Sequence, residues 1–202
     1  MKSTSKPSPF NASAMEAIAT MFALEVPRVA LMVLSPTASV EGAVREMRAL
    51  GVNAHGLHIA DRERGGAYLL NSGTGSDDNP TLLVATLATV RGLDLPDLAH
   101  VFVLGTGALD VLDHDAYTHA AGRVGRFGKG GQVVTVVNQR YLVKRGKKSV
   151  VVDEPMRLKG IYQRLDVTPV NVEHFGVWAT SARVPGDETT AQAGVEADEA
   201  DR

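Results

Sequence analysis

The stretch YTHAAGRVGRFGKGG, residues 117–131, sets Arg123 and Arg126 three residues apart among five glycines. Guanidinium groups are planar forks of N–H donors that match phosphate oxygens two at a time. Glycines carry no Cβ, so the backbone can approach a ligand closely and bulk is kept away. Two arginines converging on one phosphate is therefore the chemistry this spacing suits. A basic, glycine-rich surface loop with solvated arginines is the alternative that the same residues allow.

A second stretch, ATLATVRGLDLPDLAHVFVLG at 85–105, offers a hydroxyl at Thr86, a cation at Arg91 and a bare backbone at Gly92. Asp94 follows at once and reads equally as a cap for the turn before Pro96 or as an ion-pair partner of Arg91.

The elements that position these residues alternate along the chain. AMEAIATMFALEV (14–26) predicts a helix ended by Pro27, and RVALMVL (28–34) a buried strand. VEGAVREMRAL (40–50) spaces Val40, Val44, Met47 and Leu50 as a helix does, after an N-cap candidate in SPTAS and before a stop at Gly51. VNAHGLHI (52–59) predicts a short strand, DRERGGAYLL (61–70) a helix and NSGTGSDDNP (71–80) a loop. TLLVAT (81–86), HVFVLG (100–105) and QVVTVV (132–137) are apolar, β-branched runs of the kind buried on both faces of a sheet. EPMRLKGIYQRL (154–165) predicts a helix with proline near its start. This order predicts an α/β single domain with a mainly parallel sheet flanked by helices. In such sheets ligands sit outside the carboxyl ends of the strands, where Thr86 and Gly105 fall.

Taken together, the two stretches resemble the paired signatures of superfamily 2 helicases, closest to the DEAD-box RNA helicases. The second RecA-like domain of that family carries A-T-D/S-x-x-x-R-G-x-D-x-P and, some 30 residues on, Y-x-H-R-x-G-R-x-G-R-x-G-x-x-G. Here the first reads Ala85-Thr86-Leu87, then Arg91-Gly92-Leu93-Asp94-Leu95-Pro96. The second reads Tyr117, His119, Gly122-Arg123, Gly125-Arg126, Gly128 and Gly131. A weaker likeness extends over residues 14–175, including RVALMVLSPTAS, LGVNAHGLH and RLDVTPVNVEHF. The resemblance implies a RecA-like fold of the P-loop NTPase type.

For function it implies that Arg123 and Arg126 are arginine fingers on the γ-phosphate of ATP. Asp94 would accept from the nucleotide ribose, and Thr86, Arg91 and Gly92 would lie on RNA phosphates. The magnesium ion would be held by a first RecA-like domain. The sequence contains neither G-x-x-x-x-G-K-S/T nor D-E-A-D, so it reads as the carboxyl-terminal half of an ATP-dependent RNA helicase, inactive alone. Its expected partners are RNA and a first RecA-like domain, in a longer parent chain or in trans. The competing reading is a non-catalytic RNA-binding or assembly module that kept the fold. Two departures carry weight: the family's arginine after the histidine is Ala120, and the acid after Ala-Thr is Leu87. Both remove charge, and a joint loss avoids stranding one buried charge, which would cost several kcal/mol.

Composition narrows the remaining choices. The absence of cysteine excludes a disulfide scaffold, an iron–sulfur site and a thiolate zinc site. HGLH offers His55 and His58 with no third metal ligand in view. No apolar run approaches the roughly 18 residues of a spanning helix, so no membrane partner is expected. The formal net charge is −2, unevenly spread: the last 24 residues hold six acids. Residues 1–13 predict a disordered leader and 176–202 an acidic disordered tail. The leader allows part of a transit peptide, which leaves an intracellular compartment, mitochondrion or plastid included, open. KRGKK (144–148) reads either as a nucleic-acid patch or as a solvated hairpin.

Overall fold

Six successive apolar residues, Val29–Leu34, are all buried, and successive side chains of a strand point to opposite faces. Ala30, Met32 and Leu34 join one apolar cluster, while Val29, Leu31 and Val33 join another. The same division runs through Leu82 and Val84 against Leu83 and Ala85, and through Phe102 and Leu104 against Val101 and Val103. A sheet divided this way must be covered twice, and it is. The computed structural model describes residues 10–58, 79–91, 98–105, 114–122, 124, 131–138, 140–145, 147–174 and 177–184.

Five parallel strands form the centre: β1 (Val29–Leu34), β2 (Ala54–Gly56), β3 (Thr81–Thr86), β4 (His100–Leu104) and β5 (Gly131–Val137). Helices α1 (Ala12–Glu25) and α2 (Val40–Ala49) cover one face. The other face is covered by α3 (Leu87–Val90), α4 (His114–Ala121) and α5 (Glu154–Leu165). Local signals explain the boundaries. Ser39 caps α2 by accepting from Gly42 N at 3.0 Å. Gly51 closes that helix at φ 84°, a left-handed conformation that costs glycine nothing. No helix among the described residues is long and apolar enough to cross a membrane.

The structure departs from the sequence-based expectations in several places. Ordered structure starts before residue 14: Phe10 is buried and Asn11 caps α1 by accepting from Ser13 N at 3.0 Å. Leu50, expected on the buried face of α2, is 42% exposed because the helix ends at Ala49 and Leu50 caps it. The stretch expected to begin the acidic tail contains β9 (Val177–Val184), paired antiparallel with β5. With β8 (Val170–His174) it extends the sheet to seven strands in the order β2-β3-β1-β4-β5-β9-β8. VWATSARV carries small and polar residues and looks like loop, but strand formation follows the pairing partner more than intrinsic preference. A separate hairpin, β6 (Tyr141–Arg145) with β7 (Lys148–Val152), stands between β5 and α5. The helix expected at 61–70, and residues 71–78 of the loop expected at 71–80, lie outside the described residues.

Because β9 pairs seven residues of β5 and is the partner of β8, its removal strips an edge from the core sheet. A chain ended at residue 176 is expected to melt at least 10 °C or so below one ended at Val184, given that about 1 kcal/mol moves the midpoint roughly 2–4 °C at this size. Thermal denaturation of the two truncations, followed by far-ultraviolet circular dichroism, checks this; equal midpoints would mean that β9 adds nothing to the sheet.

Candidate functional site

The registers Leu34↔Thr86, Val33↔Val103 and Leu104↔Val136 align the carboxyl ends of the central strands. Thr86, Ser35, Gly105 and Asn138 therefore follow one another along a single rim. Thr86 is the last residue of β3 and the N-cap of α3. Its Oγ1 accepts from Thr89 N at 3.4 Å and lies 3.1 Å from Thr89 Oγ1. The side chains of Leu87 and Val90 are buried beneath, so the turn is pinned to the core. Arg91 closes α3 with its side chain exposed to solvent. Two of the expected phosphate contacts, Thr86 and Arg91, thus stand at the two ends of one short helix on the strand-end rim.

The second signature enters through α4. Tyr117 is 3% exposed, and its hydroxyl lies 3.2 Å from Thr135 Oγ1 and 3.0 Å from the hydroxyl of Tyr162. Tyr162 OH in turn donates to Thr135 Oγ1 at 3.3 Å. The two rings meet edge to face with centroids 5.5 Å apart. Three hydroxyls buried in an apolar layer satisfy one another, and they lock α4 to β5 and α5. At the end of α4, Gly122 N donates to Thr118 O at 2.7 Å, and a Cβ on Gly122 would meet that oxygen at 2.8 Å. Only glycine turns the chain here. Val124 is buried and its N–H donates to Ala121 O at 3.0 Å. The backbone is held on both sides of position 123. Arg123, Arg126, Asp94 and Gly92 themselves lie outside the described residues.

The two signatures meet through α3 and α4, which pack together. Leu87 at 4% and Ala120 at 0% exposure sit in the same apolar cluster on that face. Where the DEAD-box pattern has an acid and an arginine, this chain has two buried apolar side chains. The substitution is coherent, since either charge alone would be stranded in the layer that holds Val90, Tyr117 and Val124.

Sequence reasoning missed Glu154. It reads as an acid complementing the start of α5, an ordinary exposed position. In the fold it is 1% exposed at the strand-end rim. Its Oε2 accepts from Asn138 N at 2.7 Å and its Oε1 from Tyr141 OH at 2.9 Å. Nothing in the sequence marks that burial, because the partners come from the β5 end and the hairpin. Asp153 beside it caps α5, accepting from Met156 N at 3.0 Å, and pairs with Arg140 at 3.0 Å. That backbone N–H and the guanidinium hold its carboxyl below the usual range. Away from that rim, near the amino end of β3, His55 Nε2 lies 3.0 Å from Asn53 Oδ1. Burial and Arg48 together lower its pKa. His58 Nε2 lies 3.6 Å from Glu41.

The helicase conserved C-terminal domain family model matches residues 25–128, a span that includes Thr86, Arg91, Gly92, Asp94, Arg123 and Arg126. The ATP-dependent RNA helicase SrmB of Escherichia coli (strain K12) is 32% identical over 80 residues, 40% of this chain and 17% of that protein. The probable ATP-dependent RNA helicase YfmL of Bacillus subtilis (strain 168) is 40% identical over 78 residues, 37% of this chain and 19% of that protein. The chain thus spans less than a fifth of the length of these curated relatives. Among solved structures, the C-terminal domain of the DEAD-box protein Dbp5 superposes with a TM-score of 0.54 at 19% identity, covering 79% of this chain and 82% of that one. At that identity the likeness speaks for the fold, a RecA-like α/β domain.

Two outcomes test the packing of this face. Burial first, then the neighbouring Tyr162, raises the Tyr117 phenol well above its ordinary value of 10.0. The unfolded chain loses that proton near pH 10 while the folded chain keeps it. The contribution is therefore full below pH 10 and is lost as the pH climbs from there through the raised value of the folded phenol. Denaturant unfolding is expected to show a midpoint that falls above pH 10, with a shallower fall in Tyr117→Phe, which itself costs about 1 kcal/mol at neutral pH; identical alkaline profiles would contradict the hydroxyl ring. Separately, Leu87→Asp and Ala120→Arg should each destabilise by several kcal/mol, and the double variant should fall short of their sum by roughly 0.5–3 kcal/mol. Additive losses in the cycle would mean that the two positions do not share one site.

Proposed function

This chain belongs to the helicase conserved C-terminal domain family, and we propose that it works as the second RecA-like domain of a DEAD-box-type, ATP-dependent RNA helicase. In this reading Arg123 and Arg126 neutralise charge that develops on the γ-phosphate oxygens of ATP held by a first RecA-like domain. Asp94 accepts from the ribose hydroxyls. Thr86, Arg91 and Gly92 touch RNA phosphates without reading bases. The donor set fits the outer side of a nucleoside triphosphate: guanidiniums for phosphate, one carboxylate for sugar. The phosphate-cradling loop and the ligands for Mg2+ belong to the first domain, supplied in a longer parent chain or in trans.

The observation that carries the reading is the packing of α3 on α4. It ties the stretch from Thr86 to Arg91 and the helix leading to Gly122 to one side of one sheet. RNA grip and phosphate clamp then move as one body against a partner domain. A second reading, a non-catalytic RNA-binding or assembly module, is favoured by one specific observation: the buried apolar pair Leu87 and Ala120 in place of charge.

The chain alone is expected to turn over no ATP, because two cations and one carboxylate supply little binding energy once ordering costs are counted. Joined to a first RecA-like domain from a DEAD-box helicase, it is expected to give RNA-stimulated turnover that Arg126→Ala lowers about a thousandfold. Turnover by the chain alone, untouched by Arg126→Ala, would overturn the reading. RNA binding without turnover in the joined protein would select the non-catalytic module.

A further inference from the structure

The β6–β7 hairpin is a separate two-stranded sheet rooted at Asn138, on the same strand-end rim as Thr86 and Arg91. Three inter-strand steps of ~4.8 Å separate the ends of β3 and β5, so its root stands ~14 Å along the rim from Thr86. Five residues per strand give it a reach of ~17 Å. A lone two-stranded hairpin is marginal in water, and this one is anchored. Glu154, buried at its base, accepts from Asn138 N at 2.7 Å on the entering side and from Tyr141 OH at 2.9 Å on the first strand. Arg140 pairs with Asp153 at 3.0 Å, and Val152 is buried where the second strand leaves. Both legs are thereby fixed to the start of α5.

Its charge is one-sided. Residues 138–152 hold five of the chain's 21 basic residues, Arg140, Lys144, Arg145, Lys147 and Lys148, and no acid, in a chain whose formal net charge is −2. The register sets Arg145 opposite Lys148 and Lys144 opposite Ser149. Lys147 and Lys148 are exposed, and neither has an acidic partner among the described residues.

We propose that this hairpin is a second RNA-backbone contact, an arm that extends the phosphate track begun at Thr86 and Arg91. The proposal rests on the RNA-helicase reading and adds to it a site outside both signature stretches. Anion complementarity and continuity with the rim select a polyphosphate ligand. Lys147 and Lys148 meet phosphates at the tip, and Glu154 is a positioning residue that holds the arm upright. Contacts of this kind release counterions and are blind to sequence.

The test is a salt titration of binding by the full chain to two unrelated fluorescent RNA single strands, with poly-glutamate as a second polyanion. Each phosphate contact on a single strand contributes about 0.7 to the slope of log K against log salt. Lys147→Ala/Lys148→Ala is expected to weaken both strands alike, about tenfold at low salt, and to flatten the slope by about 1.4, with the melting temperature unchanged. Unaltered affinity and slope in that variant, alongside weakened binding in Arg91→Ala, would overturn the arm and leave the rim reading intact. Loss of poly-glutamate binding with RNA binding unchanged would also overturn it, assigning the hairpin to an acidic protein. A wild-type chain that binds neither strand would overturn both.

Discussion

Leu31 and Met32 are neighbours in sequence, both fully buried, and they face opposite apolar layers. That requirement, a parallel sheet kept dry on both faces, organises the rest of the molecule. Parallel strands need crossovers, and the crossovers supply the covering helices. Each crossover leaves the sheet at a strand's carboxyl end, so the segments after β1, β3, β4 and β5 gather on one rim. Thr86 and Arg91 owe their place to this geometry rather than to any attraction between them.

The layer formed by α3, α4 and α5 then does two jobs. It completes the core beneath β1, β3, β4 and β5, and it fixes the approach to both signature stretches. The hydroxyl ring of Tyr117, Tyr162 and Thr135 sets α4 against the sheet. Gly122 ends the helix at a point no larger residue could occupy. The apolar pair Leu87 and Ala120 lets α3 and α4 meet without a buried charge. A single acid or arginine at either position would be an unpaired ion in this layer, and the two apolar side chains pack there without one.

Glu154 links the RecA-like fold to the part of the chain that the signatures do not describe. A buried carboxylate needs donors, and it finds them in the end of β5 and in the first strand of the hairpin. Its burial converts an otherwise marginal β-ribbon into a fixed projection of the rim. The same rim thus carries the short helix of the first signature and a basic arm outside it.

The parallel α/β domain, the order of its elements and the two signature stretches are all legible in the amino-acid sequence. Runs such as TLLVAT and QVVTVV carry the apolar, β-branched pattern of strands buried on both sides, and α5 spans the residues expected of it, with proline near its start. Local signals failed where a segment's structure depends on a distant partner. VWATSARV becomes β9 because β5 has an open edge, and Phe10 is ordered because it packs into the core cluster of α1 and α2. The positions of Thr86 and Arg91 were legible from the signature and from the end of β3. Glu154 and the ring around Tyr117 were not, since their hydrogen bonds join residues up to 45 positions apart. Spacing along a chain reports contacts within one helix or strand; which polar group is buried, and against what, is decided only when separate elements close over it.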